Sequence, residues 1–154
     1  NRTELTVALI PTQQGSFKSY WMPPPELRNN HVIKNGKIYP ANENLLTLAT
    51  DPYKVETTES KRNSNTATTG MVLPNVDERL TDGFTVFLVY NKREDELEEM
   101  IEKQIRATLF YSTTNLVEKN VDNVIMGFFN RGLTQFVARR PDKDKLTQIG
   151  RAHV

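Results

Sequence analysis

Hydrophobic and polar positions divide the chain into a proline-broken beginning and a patterned remainder. Residues 1 to 43 are rich in Pro, Asn and Gln, and Pro23-Pro24-Pro25 excludes a helix interior or a central strand there. This stretch is expected to form a linker or arm with a few short elements, anchored by Trp21 and Met22. Asn35-Gly36, flanked by Val32-Ile33 and Ile38-Tyr39, predicts a small hairpin. Leu45-Leu46-Thr47-Leu48-Ala49-Thr50 reads as a buried strand with Asp51 at its carboxyl end and Pro52 as its stop. Residues 54 to 68 are polar and predict a loop. Residues 69 to 73 read as a second strand and residues 75 to 83 as a turn. Phe84-Thr85-Val86-Phe87-Leu88-Val89-Tyr90 is a run of β-branched and aromatic residues, a third strand.

The period then changes. Leu97, Met100, Ile101, Ile105, Thr108 and Leu109 recur at helical spacing, predicting a helix over residues 94 to 111. Glu94, Asp95 and Glu96 suit its positive dipole end, and the acids from Glu94 to Glu102 read as a solvated face. Leu116-Val117 predicts a short strand running into Glu118. Residues 121 to 130 read as a second helix with Gly132 as its C-terminal cap. Gln135-Phe136-Val137-Ala138 reads as a last strand before Arg139-Arg140. Strands alternating with helices in the second half imply an α/β domain with a mixed sheet and flanking helices.

Composition narrows the chemistry. The 154 residues, 37% of them hydrophobic, suffice for one domain with a core. Twenty basic and 19 acidic residues leave a net charge of +1, so any contact with nucleic acid rests on local patches. Absence of cysteine excludes disulfides, thiolate metal sites and cysteine nucleophiles. No apolar run reaches the roughly 20 residues needed to span a bilayer, and residues 1 to 4 lack the pattern of a signal peptide. The missing initiator Met points to a piece of a longer protein. The stretch Ile149-Gly150-Arg151-Ala152-His153-Val154 is what one reading frame of a sequencing-library adapter would encode. Residues 149–154 are therefore expected to be non-native, and His153 is set aside.

Two acids stand out by position, Asp51 and Glu118, each at the carboxyl end of an expected strand. Sites in open α/β sheets form outside those ends. Two neighbouring carboxylates repel each other when ionised, and a shared Mg²⁺ or Mn²⁺ with its preference for oxygen ligands removes the conflict. Such ions in pairs about 3.5–4 Å apart serve phosphodiester cleavage. On the residues alone the bland readings stand beside this one. Asp before Pro is a common turn residue, and Glu118 beside Asn120 also fits a solvated position or part of a helix cap.

Several segments carry a resemblance. Trp21-Met22-Pro23-Pro24-Pro25-Glu26, Asn35-Gly36-Lys37, Tyr39-Pro40-Ala41-Asn42-Glu43 and Asp51-Pro52-Tyr53 resemble the approach to the nuclease strand in the large terminase subunit of tailed phages infecting Bacteroidetes, the crAss-like group. Val117-Glu118-Lys119-Asn120, Phe128-Phe129-Asn130-Arg131-Gly132 and Arg140-Pro141-Asp142-Lys143 are similar to stretches downstream, so the resemblance covers nearly all of residues 16 to 145. No single motif is decisive; their order and spacing carry it. Lys119 departs from the family, which usually has Asn after its second acid.

The resemblance implies a ribonuclease-H-like fold, truncated here before its last helix, with a linker or arm over 1–43 and the incomplete nuclease domain over 44–148. It implies a metal-dependent DNA endonuclease that cuts concatemeric DNA in a packaging motor. Asp51 and Glu118 would be catalytic metal ligands in a two-metal Mg²⁺ or Mn²⁺ site whose third acid lies on the missing helix, so the piece alone is expected to cut poorly or not at all. No Gly-rich phosphate loop ending in Lys and Ser or Thr is present, so the motor's ATPase part is not represented. Lys61, Arg62, Lys119, Arg131, Arg139 and Arg140 are the candidate DNA contacts, each also readable as ordinary surface charge. The implied partners are double-stranded DNA, the portal protein and the small terminase subunit, with no membrane. The implied place is the procapsid portal in the host cytoplasm. Two other readings remain open: another ribonuclease-H-like nuclease of transposase or resolvase type, and a phage binding or structural module whose acids do no chemistry.

Overall fold

Alternation of side chains decides which face of each strand is covered. The computed structural model describes residues 6–52, 65–74, 85–118 and 122–138. In chain order its strands are β1 (Phe17–Ser19), β2 (Val32–Lys34), β3 (Lys37–Tyr39), β4 (Leu46–Asp51), β5 (Thr66–Val72), β6 (Val86–Lys92) and β7 (Asn115–Val117). Helix α1 (Leu97–Tyr111) precedes β7, and α2 (Asn123–Asn130) follows it. One mixed sheet runs β1-β6-β5-β4-β7, with β4 and β7 parallel and the other neighbours antiparallel. The chain is thus mixed α/β.

In β4, Leu46, Leu48 and Thr50 are buried, while Thr47 and Ala49 are half-buried and Asp51 is exposed. The buried set faces the helices. Helix α1 turns Met100, Ile101, Gln104, Ile105, Thr108 and Leu109 inward, one stripe at helical spacing. Val124, Gly127 and Phe128 do the same for α2. A side chain at Gly127 would run into Ile101 Cγ2, so glycine is what lets α2 lie close on α1. Ile101, Ile105, Val117, Phe128 and Phe136 form one core cluster, and Leu48, Phe87, Ala107 and Tyr111 belong to a second.

Several expected elements are found with shifted edges. The Asn35-Gly36 hairpin is present as β2–β3, with both turn residues at positive φ. Strand β5 begins at Thr66 rather than at 69, because its inward residues there, Thr66 and Thr68, are polar and hide the alternation. Residues 17 to 19, within the stretch read as an arm, add β1 to the sheet edge, where Phe17 stacks on Tyr90 at 4.8 Å between centroids. Trp21 packs edge-on against Phe87. Gly132 follows α2 at φ 67°, as its cap role requires.

Two readings are corrected. The expected strand at 135 to 138 is a 3-10 turn (Thr134–Phe136) followed by a single bridge from Val137 to Asn115. Leu133 and Phe136 both face the core, and their spacing of three excludes an alternating strand. Glu94 is not on a solvated face. It lies before the helix, 5% exposed, accepting from Ser16 Oγ at 2.9 Å, Tyr90 Oη at 3.1 Å and Lys103 Nζ at 2.7 Å. Burial alone would raise its pKa, but these three donors outweigh that and hold the carboxyl below its ordinary value. The expected turn at 75 to 83 and the tail at 149–154 lie outside the described residues.

Candidate metal site at the ends of two parallel strands

The parallel register of β4 and β7 pairs Leu48 with Asn115, Ala49 with Leu116 and Thr50 with Val117. Continued by one residue it sets Glu118 beside Asp51, and the Glu118 N–H donates to the Thr50 carbonyl at 3.0 Å. Register-paired residues of parallel neighbours point to the same face, with strands about 4.8 Å apart. The two carboxylates therefore project side by side from the face opposite the helices. They share a shallow pocket of about 430 Å³, whose floor is Ala49, Ala67, Thr69 and Leu116. Asp51 is exposed and Glu118 half-buried.

The registers extend this site across the sheet. Glu118, Asp51, Ala67 and Asn91 form one row over β7, β4, β5 and β6. Leu116, Ala49, Thr69, Val89 and Lys18 form the next. Small residues dominate beside the acids, so the surface is flat there, and Lys18 sets a cation at the far edge. Sequence reading did not single out Lys18, whose signal, its phase on β1, becomes visible only once β1 joins the sheet.

Beneath the acids, on the helix side, lies a polar cluster inside the core. Thr50 Oγ1 donates to Asn115 Oδ1 at 2.8 Å and lies 3.1 Å from Thr68 Oγ1. Thr68 Oγ1 donates to Gln104 Oε1 at 2.6 Å, Asn115 Nδ2 to Thr108 Oγ1 at 3.2 Å, and Thr108 Oγ1 to the Gln104 carbonyl at 2.7 Å. All five side chains are at most 3% exposed. They too were missed, and the signal is a polar residue in the phase of the buried ones: Thr50 after Leu46 and Leu48, Asn115 before Val117.

Two carboxylates on adjacent strand ends fit one hard divalent cation, which commonly takes one or two protein carboxylates and completes its shell with water and phosphate oxygens. Among the described residues no group of three or more His, Cys, Asp or Glu is gathered in one place. Arg131 is not brought to the pair. It joins the helices instead, donating to Glu102 Oε2 at 2.8 Å and to the Gly127 carbonyl at 3.0 Å. Lys61, Arg62, Lys119, Arg139 and Arg140 lie outside the described residues.

The groove between the amino-terminal segment and β1, lined by Leu9, Ile10, Trp21 and Met22, contains no carboxylate, amine, guanidinium or imidazole. Among the described residues no helix is long and apolar enough to cross a membrane. Comparison with protein-family models, with curated proteins and with solved structures returns no match.

Proposed function

We propose that the chain carries a Mg²⁺- or Mn²⁺-dependent phosphodiester hydrolase site of the ribonuclease-H-like kind, as in the nuclease domain of a phage terminase large subunit. The observation that carries this reading is the pocket that Asp51 and Glu118 share at the carboxyl ends of adjacent parallel strands. The succession of three antiparallel strands, helix, parallel strand, helix and a further parallel bridge supports it.

Asp51 and Glu118 would hold the cation. When bound, the cation supplies an activated water and stabilises the leaving oxygen of the cleaved ester. The flat floor of Ala49 and Ala67 admits a polymer backbone close to the acids, and Lys18 offers a phosphate contact on the same face. Among the described residues of the site none forms a base-reading element, and sequence-tolerant binding is expected. The substrate is double-stranded DNA, and the setting is packaging at the procapsid portal with the portal protein and the small terminase subunit as partners.

The reading is tested by thermal unfolding with and without Mn²⁺. An ion that binds the folded state at 100 times its Kd stabilises it by about 2.7 kcal/mol, which for a chain of this size raises Tm by about 5–10 °C. The parent chain is expected to show this rise, and Asp51→Asn and Glu118→Gln to lose it. A parent unmoved by Mn²⁺, or an Asp51→Asn variant that responds as the parent does, overturns the reading.

A further inference from the structure

Strand β7 has three residues and pairs in parallel with β4. Parallel pairing is the weaker ladder, and so short a strand offers few bonds. Apolar packing does not fix its position alone. A two-residue slip keeps every side chain on its own face and still presents Leu48 to Val117, yet it separates Asp51 from Glu118. A one-residue slip turns Glu118 to the helix side. Side chains that recognise one register are therefore needed.

The buried cluster meets that need. Thr50 lies next to Asp51 in β4 and pairs with Val117, two residues beyond Asn115, so the hydrogen bond between Thr50 and Asn115 crosses the ladder diagonally. The slip that sets Val117 opposite Leu48 sets Asn115 opposite Leu46, four residues from Thr50, and breaks this bond. Asn115 is also tied to α1 through Thr108, and to the following segment through its backbone carbonyl, which accepts from the Ala138 N–H at 2.9 Å.

Proton counting defines the cluster further. Thr50 gives its hydroxyl proton to Asn115 and Thr68 gives its own to Gln104 Oε1, which leaves the 3.1 Å contact between the two threonines with none. Gln104 Nε2, meanwhile, is buried with no partner. Turning the Gln104 amide supplies the missing proton and leaves Oε1, an acceptor, at the position without a partner. Its Nε2 then donates to Thr68, Thr68 to Thr50, Thr50 to Asn115 Oδ1, Asn115 Nδ2 to Thr108, and Thr108 to the Gln104 carbonyl. We propose that Gln104, Thr68, Thr50, Asn115 and Thr108 form this closed, one-directional ring, and that the ring is the positioning device that holds Asp51 opposite Glu118. Bonds in a chain of this kind polarise one another, and leaving one member unpaired inside the core is costly, so the ring accepts one register and rejects its neighbours. The five side chains are buried on the helix side of the sheet. Thr50 and Asn115 act through the backbone that carries the acids.

The chain has no cysteine of its own, so Asp51→Cys with Glu118→Cys gives a unique pair at a separation a disulfide can bridge. Cross-linking under mild oxidant reports the register without any metal. The paired variant is expected to cross-link rapidly. Adding Thr50→Val, equal in shape, or Asn115→Leu is expected to slow this at least about tenfold below the unfolding transition, while Thr50→Ser, which keeps the hydroxyl, restores it. Parallel Mn²⁺ titrations with Asp51 and Glu118 in place rest on the metal reading. There Thr50→Val and Asn115→Leu are expected to weaken binding by roughly 10–100-fold, the usual effect of disturbing groups that orient ligands. Cross-linking that is indifferent to Thr50→Val and Asn115→Leu overturns the positioning role. Cross-linking that depends on them, in a chain that never binds Mn²⁺, supports the role and sinks the metal reading instead.

Discussion

Ser112 closes α1 in a left-handed conformation, φ 47°, where glycine is the usual choice. A side chain is kept there because its hydroxyl is used twice: Oγ accepts from the Ala41 N–H at 3.1 Å and lies 2.8 Å from His31 Nδ1. The His31 Nε2 is buried without a partner. Burial holds the His31 pKa below its ordinary value. The unfolded chain therefore binds the proton first. Stability from this group is complete above the unfolded pKa of about 6.5 and is lost as pH falls from there through the lower folded value. Urea unfolding of the parent is expected to show this loss between pH 7.5 and pH 5, and His31→Gln to flatten that part of the profile. Equal slopes in both proteins would remove His31 from the account. Neither His31 nor Glu94 could be placed from local sequence. Their partners lie far along the chain, Ser112 at 81 residues and Ser16 at 78, and a neighbouring run of acids gave Glu94 the look of a solvated residue.

At the scale of elements, α1 and α2 meet through Gly127. Alanine is the better helix former by about 1 kcal/mol, so propensity alone favours Gly127→Ala. The collision with Ile101 Cγ2 opposes it, and overpacking a close interface costs about 1–3 kcal/mol. A net destabilisation of up to about 2 kcal/mol is expected from chemical denaturation, partly relieved by Ile101→Val in a double-mutant cycle. A stabilised Gly127→Ala variant would mean the helices move apart freely. Legibility varied with the element. Strand β4 was readable because Leu46 and Leu48 alternate and Pro52 stops the run; α1 was readable from its stripe. Strand β5 and the segment around Phe136 were not. One hides polar threonines on its buried face, and the other places aromatic and β-branched residues in a turn with a spacing of three.

Across the whole molecule, one sheet separates two environments. Helices and apolar clusters cover the face of Leu48, Thr50 and Val117, and the acids stand on the other. Asp51 and Glu118 were legible as strand-end acids because each ends a recognisable apolar run. That they are neighbours was not, since a parallel pairing between residues 67 positions apart is a property of topology rather than of local pattern. The ring beneath them was invisible for the same reason: its members come from four elements, and each alone is an ordinary polar residue.

The most direct test of the central claim is a crystal structure of the chain grown with Mn²⁺, read by the metal's anomalous signal. The account predicts a peak between Asp51 and Glu118 on the open face of the sheet, with carboxylate oxygens from both residues at about 2.0–2.2 Å, the range of hard divalent ions of this size. A peak elsewhere, or carboxylates turned apart with both strands well ordered and no ion between them, would contradict it.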